Sequence, residues 1–201
     1  AALQQFERMG ESSARYHFLH ARTAIGLNQQ EDAQRALDKA LELEPEFLPA
    51  LLLAANIAEA QGVSEPFDRY VEQLNKLQPE LPEVQRLSAV LAARQGDMAS
   101  AIRITRDAHK AAPSTRTVLQ LSNFQKADGN GVGSVSTLKK WVRQHPDDVA
   151  VRLTLADQYH LDSSFKEARS EYATVLQYEQ DNVLALNNLA WLTREEDPAL
   201  A

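Results

Sequence analysis

The chain has 201 residues, of which 44% are hydrophobic and 24% charged, values typical of a folded protein and unlike those of a disordered chain. Its 21 Lys and Arg against 28 Asp and Glu give a formal net charge of -7, which argues against a nucleic-acid partner whose phosphates must be neutralised. The absence of cysteine excludes disulfides, thiolate metal sites and cysteine nucleophiles. The apolar stretches are too short to cross a bilayer, so we expect no membrane span.

A proline recurs along the chain at an interval of 34 residues. Pro45, Pro79 and Pro113 are 34 residues apart, Pro146 follows after 33, and the same phase falls on Gln180 after a further 34. A period of this size indicates one small supersecondary unit that is copied and stacked, so that each unit contacts only its neighbours. We therefore predict a single continuous solenoid over residues 1–201, and we favour binding along an extended surface over catalysis.

Placing each proline at position 32 defines the repeats. Residues 1–13 are then the end of a preceding repeat, and residues 183–201 open a further one. The copies between them are 14–47, 48–81, 82–115, 116–148 and 149–182. Because the chain begins and ends within a repeat and does not begin with Met, we expect it to be a piece of a longer protein.

Each copy predicts two helices that pack closely. Position 8 is alanine in five of six copies, and small residues at positions 20 and 27 let neighbouring helices approach. Gly62 and Gly96 are placed to end first helices, because glycine accepts the left-handed conformation that terminates a helix. The proline at position 32 ends the second helix, and Pro82 and Ser114 suit the first turn and the N-cap of helices that follow.

Two copies depart from this pattern. The second carries Phe67 and Leu74 at positions 20 and 27, after Pro66 in the first turn of its second helix. We favour a helix that starts normally and packs at a wider distance over a local change in curvature that shapes a binding site. The fourth copy is one residue short, and glycines at 129, 131 and 133 predict a flexible turn between its helices and a plausible hinge.

Histidines and carboxylates do not assemble into a catalytic or metal site. His17 and His20 lie three residues apart on one predicted helix, but no third metal ligand follows from their spacing. His109 and His145 lie near the ends of second helices, where a cation favours the helix dipole, and His160 lacks a matched partner for acid–base catalysis. With no nucleophile motif and no nucleotide fingerprint, we predict a non-enzymatic protein without cofactor or metal.

Two-helix units of 34 residues with small residues at positions 8, 20 and 27 and proline at 32 resemble tetratricopeptide repeats, over residues 14–192. The segments 155–159 and 187–192 match the family pattern most closely. The resemblance implies an all-α, right-handed superhelix of about five to six repeats. It also implies a non-catalytic scaffold that binds a protein or peptide in its concave groove.

In the tetratricopeptide pattern, positions 2, 5, 9 and 12 of the first helix line the concave side. At positions 5 and 9 each copy places one large apolar side chain, which predicts a groove for an extended or helical peptide. The predicted partner-binding residues are Phe18 and Arg22, Leu52 and Asn56, Arg86 and Val90, Gln120 and Phe124, Leu153 and Asp157, and Asn187 and Trp191. The alternative is that these side chains pack against neighbouring first helices or a missing repeat.

The runs 141–148, 187–192 and 197–201 resemble one subgroup, the large tetratricopeptide proteins of Gram-negative exopolysaccharide and exosortase systems. That resemblance implies a role in envelope or exopolysaccharide assembly and a periplasmic or outer-membrane-anchored location, with the cytoplasm as the alternative. Two other functions stay open. One is a structural segment that self-associates through truncated repeat ends, and the other is a regulatory module of a larger multidomain protein.

Overall fold

The computed structural model describes residues 13–196, which form eleven α-helices and no strand. This confirms the all-α prediction for that part of the chain. Residues 1–12 and 197–201, which belong to the predicted preceding and further repeats, lie outside the described range. The helices are α1 (Ala14–Gly26), α2 (Gln30–Leu43), α3 (Leu48–Gln61), α4 (Ser64–Leu77), α5 (Pro82–Arg94), α6 (Met98–Ala111), α7 (Thr115–Ala127), α8 (Gly131–Gln144), α9 (Val149–Leu161), α10 (Phe165–Tyr178) and α11 (Val183–Glu196).

The helices fall in pairs that match the predicted repeats. The odd-numbered helices α1 to α9 are the first helices of the five copies, the even-numbered helices are their second helices, and α11 opens the sixth copy. Pro82 lies in the first turn of α5, and the Ser114 hydroxyl caps α7 by accepting from the backbone N–H of Thr117 at 3.2 Å. Both terminus predictions are therefore confirmed.

Left-handed residues stand in the turns inside the repeats. Gly62 ends α3 with φ of 70°, and Gly96 follows α5 with φ of 83°, as the sequence predicts. Asn28 and Ser163 adopt the same backbone region with φ of 58° and 57° in the turns after α1 and α9. Asparagine is tolerated there because its short polar side chain bonds locally, whereas Ser163 gave no such signal in the sequence.

The helices belong to two compact units, which divide between Gln95 and Gly96 within the third predicted repeat. In the first unit each of α1 to α4 contacts the next helix along the chain, and α3 also contacts α5. In the second unit α6 to α11 follow the same rule, and α7 also contacts α9. Contacts between successive first helices are the expected packing of stacked repeats, while the single continuous domain over 1–201 stays a prediction.

The core of the first unit includes the large side chains at positions 20 and 27 of the second copy. Phe67 and Leu74 of α4 are fully buried, together with Leu37, Leu51 and Leu87 from the neighbouring helices. The helix starts normally at Ser64 with proline in its first turn. The normal helix start of the favoured interpretation is therefore confirmed, while packing at a wider distance stays a prediction.

The core of the second unit includes two clusters. One surrounds Leu138 of α8 and Leu155 of α9, and the other surrounds Ala156 of α9 and Tyr172 of α10. Ser134, which takes the small position 20 of the fourth copy, is buried and accepts a hydrogen bond from the Gln158 amide at 2.8 Å. The hydroxyl thus keeps a partner in the interior, as buried polar groups require.

The glycine-rich segment of the fourth copy is not a loop throughout. Helix α8 begins at Gly131, so Gly131 and Gly133 lie in its first turn, and only Gly129, with φ of 79°, is left-handed. Asn130 is the N-cap, and its side-chain oxygen accepts from the backbone N–H of Gly133 at 2.8 Å. A Cβ at residue 133 would meet the Asn130 side chain, so a larger residue there would require that side chain to shift. The prediction of a flexible turn over 129–133 is wrong beyond residue 130.

Candidate functional site

We call positions 2, 5, 9 and 12 of the odd-numbered helices the first-helix face. In the first unit this face is carried by α1, α3 and α5, and in the second unit by α7, α9 and α11. The sequence predicts that a partner binds on this face, so we describe the contacts of its residues in each unit.

In the first unit, four polar residues of the first-helix face form one network around Arg86. Asn56 and Glu59 come from α3, and Glu83 and Arg86 come from α5. The guanidinium donates to both oxygens of Glu59 at 2.9 and 2.8 Å, to Asn56 Oδ1 at 2.6 Å and to Glu83 Oε1 at 3.1 Å. All four side chains are half-buried, so the network is held in place and still open to solvent.

The pKa of Arg86 reflects both the burial of the network and its two carboxylates. Burial acts to lower the pKa of Arg86, but hydrogen bonds and charge from Glu59 and Glu83 outweigh burial and raise that pKa above its ordinary value. Arg86 therefore stays charged and is held within the network.

Of the other predicted residues of the first unit, some pack against the core and one is exposed. Phe18, Leu52 and Val90 are half-buried and pack against the core, with the Phe18 and Phe47 ring centroids 5.6 Å apart in an edge contact. Arg22 is exposed, with its guanidinium carbon 5.8 Å from the centre of the Phe18 ring. The apolar members therefore serve the stack in part, and their role in partner binding stays a prediction.

In the second unit, a buried tyrosine orders two residues of α9 and α11. Tyr172 of α10 is fully buried, and its hydroxyl donates to Asp157 Oδ1 at 2.5 Å and accepts from the Asn188 amide at 2.9 Å. Burial, and then the carboxylate of Asp157, raise the pKa of Tyr172 well above its ordinary value. The phenol therefore stays neutral, and it fixes the exposed Asp157 on the first-helix face.

Replacing Tyr172 with phenylalanine tests this contact through pH. Because the pKa of Tyr172 is raised, its neutral phenol contributes fully to stability below about pH 10. This contribution is lost as the pH rises above that value. We expect Tyr172→Phe to cost about 1 kcal/mol at pH 7, and to lose less stability than the wild type between neutral and strongly alkaline pH. Urea unfolding at both pH values measures this, and equal alkaline losses in the two proteins would contradict the contact.

Trp191 of α11 is the most exposed large aromatic residue at the predicted positions 5 and 9, with 41% of its surface accessible. Its ring stacks on His160 of α9, with centroids 4.8 Å apart and planes 29° apart, and Phe165 of α10 meets it edge-on at 6.1 Å. The neighbouring rings restrain the indole without burying it. A restrained, partly exposed tryptophan is the type of side chain that dominates protein interfaces.

The remaining predicted residues of the second unit differ in accessibility. Leu153 packs against the core, Gln120 and Phe124 are half-buried, and Asn187 is exposed. Partner binding by these residues stays a prediction, as it does for the whole set.

Sequence reasoning missed three residues of the face that contact its predicted members. Glu59 and His160 occupy position 12 of their repeats, and Glu83 occupies position 2 of the third. The repeat register marks both positions as concave, so the signal was present. Reading positions 5 and 9 alone left out the carboxylates that hold Arg86 and the ring that supports Trp191.

Residues 13–196 show neither a metal cluster nor a membrane-spanning helix. Between residues 13 and 196, no group of three or more His, Asp or Glu side chains is placed to hold a metal ion, and His20 is exposed rather than in the core position its register predicts. None of the helices in that range combines the length and apolar character that crossing a bilayer requires.

Solved structures with the same architecture are tetratricopeptide repeat proteins. YrrB, which has an unusual peptide-binding site, superposes with a TM-score of 0.64 at 16% identity over 93% of this chain and 97% of its own. A thermophilic tetratricopeptide repeat protein of Thermus thermophilus gives 0.68 at 19% identity over 90% and 99%. PilW, a widely conserved type IV pilus biogenesis factor, gives 0.69 at 15% identity over 92% and 94%. No protein-family model matches the chain, and no curated protein matches it.

At these identities the likeness concerns the fold alone. It agrees with the helix pairs, the turn positions and the contacts between successive first helices described above. The chain has the all-α solenoid fold of the tetratricopeptide repeat proteins.

Proposed function

We propose that the protein is a non-catalytic scaffold that binds a peptide or protein partner on its first-helix faces. The observation that carries the proposal is the Arg86 network, in which four residues from two successive first helices are ordered and still reach solvent. Polar groups fixed before binding lose little entropy when a partner arrives. In the second unit, Trp191 is likewise held in place and partly exposed, and it provides an aromatic anchor.

A peptide selection tests this function directly. Peptides from a random displayed library would be selected on the folded chain, and the affinity of single peptides would be measured by calorimetry. For peptides bound to the second unit, we expect Trp191→Ala to weaken binding at least about tenfold, since exposed aromatic anchors act as hot spots. For peptides bound to the first unit, Arg22→Ala is expected to weaken binding by a few fold, because an exposed ionic contact contributes less.

Matched variants on second helices control for simple loss of an aromatic ring or a charge. Tyr178→Ala removes an exposed aromatic residue from α10, and Arg35→Ala removes an exposed cation from α2. Both are expected to leave the affinities unchanged. Peptides that bind tightly and respond to none of Trp191→Ala, Arg22→Ala and Glu59→Gln, the last of which removes a carboxylate from the Arg86 network, would overturn the assignment to the first-helix faces.

A role in the bacterial envelope or in exopolysaccharide assembly is part of the same proposal. It is supported by the resemblance of residues 141–148 and 187–192 to tetratricopeptide proteins of exosortase systems. Expressing the complete reading frame in a Gram-negative host and fractionating the cells would test it. Recovery in the periplasm or the outer membrane supports the role, and recovery in the cytoplasm contradicts it.

Self-association is a second candidate function, favoured by the apolar surface of α11. Val183, Leu184 and Leu186 are 66%, 62% and 45% exposed, and Trp191 lies on the same helix. Contiguous exposed apolar residues of this kind mark contact surfaces. Light scattering across concentrations tests this candidate: a dimer that Leu184→Glu dissociates supports it, and a monomer throughout contradicts it.

A further inference from the structure

A cavity of about 670 Å³ lies in the second unit between α6 and α8, which are second helices. It is therefore separate from the first-helix faces of the proposed function. Its size falls within the range of sites that hold small ligands or short segments of a partner. Arg106 and Lys110 line it from α6, Lys140 and Trp141 line it from α8, and Leu121 of α7 also contributes.

The cavity is positively charged in a chain that is negative overall. Arg106, Lys110 and Lys140 bring three cations from two helices, and no carboxylate is among the described residues that line it. Lys110 lies 3.6 Å from Asp107, but both side chains are more than half exposed, so this pair neutralises little. The clustered cations create a local positive potential that attracts an anion.

The aromatic rings that line the cavity already make ring contacts and hydrogen bonds within the protein. Trp141 donates from Nε1 to Asp148 at 2.7 Å, and its ring stacks on His145 with centroids 4.0 Å apart. His109 Nδ1 lies 2.8 Å from the Thr117 hydroxyl, and burial, followed by Lys140, lowers the pKa of His109. The stacked face of Trp141 is thus closed to a nucleobase, and the positive charge comes from the three long cations.

The spacing of the cations indicates how the anionic groups are arranged. Arg106 and Lys110 stand four residues apart on α6, a rise of about 6 Å. An extended peptide places alternate side chains on one side about 6.6 Å apart. Two carboxylates at alternate positions therefore match Arg106 and Lys110, and Lys140 from α8 is available to a third. We propose that this cavity binds an extended acidic peptide segment with Asp or Glu at alternate positions.

Fluorescence anisotropy with a labelled Glu-Gly-Glu-Gly-Glu peptide and its Gln-Gly-Gln-Gly-Gln counterpart tests the site on the full chain. The acidic peptide is expected to bind more weakly as salt rises, because exposed charges are screened, and the neutral peptide is expected not to bind. The double variant Arg106→Ala/Lys140→Ala is expected to weaken binding about tenfold, since two exposed ionic contacts are lost.

The matched control is Arg103→Ala/Lys139→Ala. It removes the same charges from the same two helices, at exposed residues outside the cavity lining, and is expected to leave the affinity unchanged. Circular dichroism of both double variants checks that the helices remain folded.

Several results would overturn the acidic-peptide site. In the first two, the acidic peptide does not bind, or both double variants lose the same affinity for it. In the others, inorganic phosphate displaces the peptide at the same charge concentration, or Trp191→Ala weakens binding while Arg106→Ala/Lys140→Ala does not. Failure of this site does not affect the proposed function, because that function is tested separately with Arg22→Ala and Trp191→Ala. Failure of the first-helix faces likewise leaves the cavity testable through Arg106 and Lys140.

Discussion

Phe67→Ala is expected to destabilise the first unit by about 3–5 kcal/mol, the usual cost of truncating a fully buried aromatic residue. Position 20 is alanine in three of the five copies, so the variant restores the common residue of the repeat. It destabilises because the core of the first unit packs around the phenyl ring, which is 0% exposed, and because the Arg94 guanidinium lies 4.1 Å from the centre of that ring. Chemical denaturation followed by circular dichroism measures the loss.

Two further variants separate packing from repeat consensus. Tyr178→Ala removes an exposed aromatic residue and is expected to change stability by less than about 1 kcal/mol. Ala168→Phe places the larger residue at position 20 of the fifth repeat, which is fully buried, and is expected to cost about 1–3 kcal/mol through overpacking. A loss below about 1 kcal/mol in Phe67→Ala would show that the second copy accepts the common alanine and would contradict the packing described here.

Asp148→Ala is expected to destabilise the second unit by about 2–3 kcal/mol, because one carboxylate serves three donors. Asp148 caps α9 by accepting from the backbone N–H of Val151 at 3.2 Å, and it accepts from Thr115 and from the Trp141 indole, each at 2.7 Å. Truncation removes the cap and leaves the buried indole N–H without its acceptor. The loss is measured by the same denaturation experiment.

The pH dependence of Asp148 supplies an independent test. Burial acts to raise its pKa, but the hydrogen bonds from Thr115, Trp141 and Val151 outweigh burial and hold the pKa below its ordinary value. Its stabilising contribution is therefore present above the ordinary pKa and is lost as the pH falls through the depressed one. Asp148→Asn keeps an acceptor oxygen and is expected to lose less stability at pH 7 than the alanine variant, with a weaker acid dependence.

The neighbouring Asp147 is the matched control for Asp148. It is exposed, and Asp147→Ala is expected to change stability by no more than about 0.5 kcal/mol. If Asp147→Ala and Asp148→Ala cost the same, the carboxylate of Asp148 would not have the role assigned to it.

The repeat period predicts most of the fold because its signals are local. Gly62, Gly96, Pro82 and Ser114 each determine the backbone within one turn of themselves, and all four lie where the period places them. The segment at 129–133 was misread because glycine content outweighed the N-cap preference of Asn130. An N-cap asparagine directly after a left-handed glycine was the stronger signal for a helix start.

The sequence predicts which residues share the first-helix face and not the contacts between them. The register places Asn56 and Arg86 on the first-helix face, and the structure joins them directly. That Arg86 also pairs with Glu59 depends on how α3 and α5 pack, since these residues are 27 positions apart in the chain. Side-chain reach across two helices is a tertiary property, and a single sequence carries no measure of it.

Photo-crosslinking from defined surfaces tests the central claim, that partners bind the first-helix faces, most directly. A benzophenone amino acid would be placed at Phe124 on α7 or at Trp191 on α11, and at Val132 on α8 or Tyr178 on α10 as exposed second-helix controls. With a peptide selected on the second unit, we predict crosslinks from Phe124 or Trp191 and none from Val132 or Tyr178. Crosslinks confined to Val132 or Tyr178 would contradict the claim.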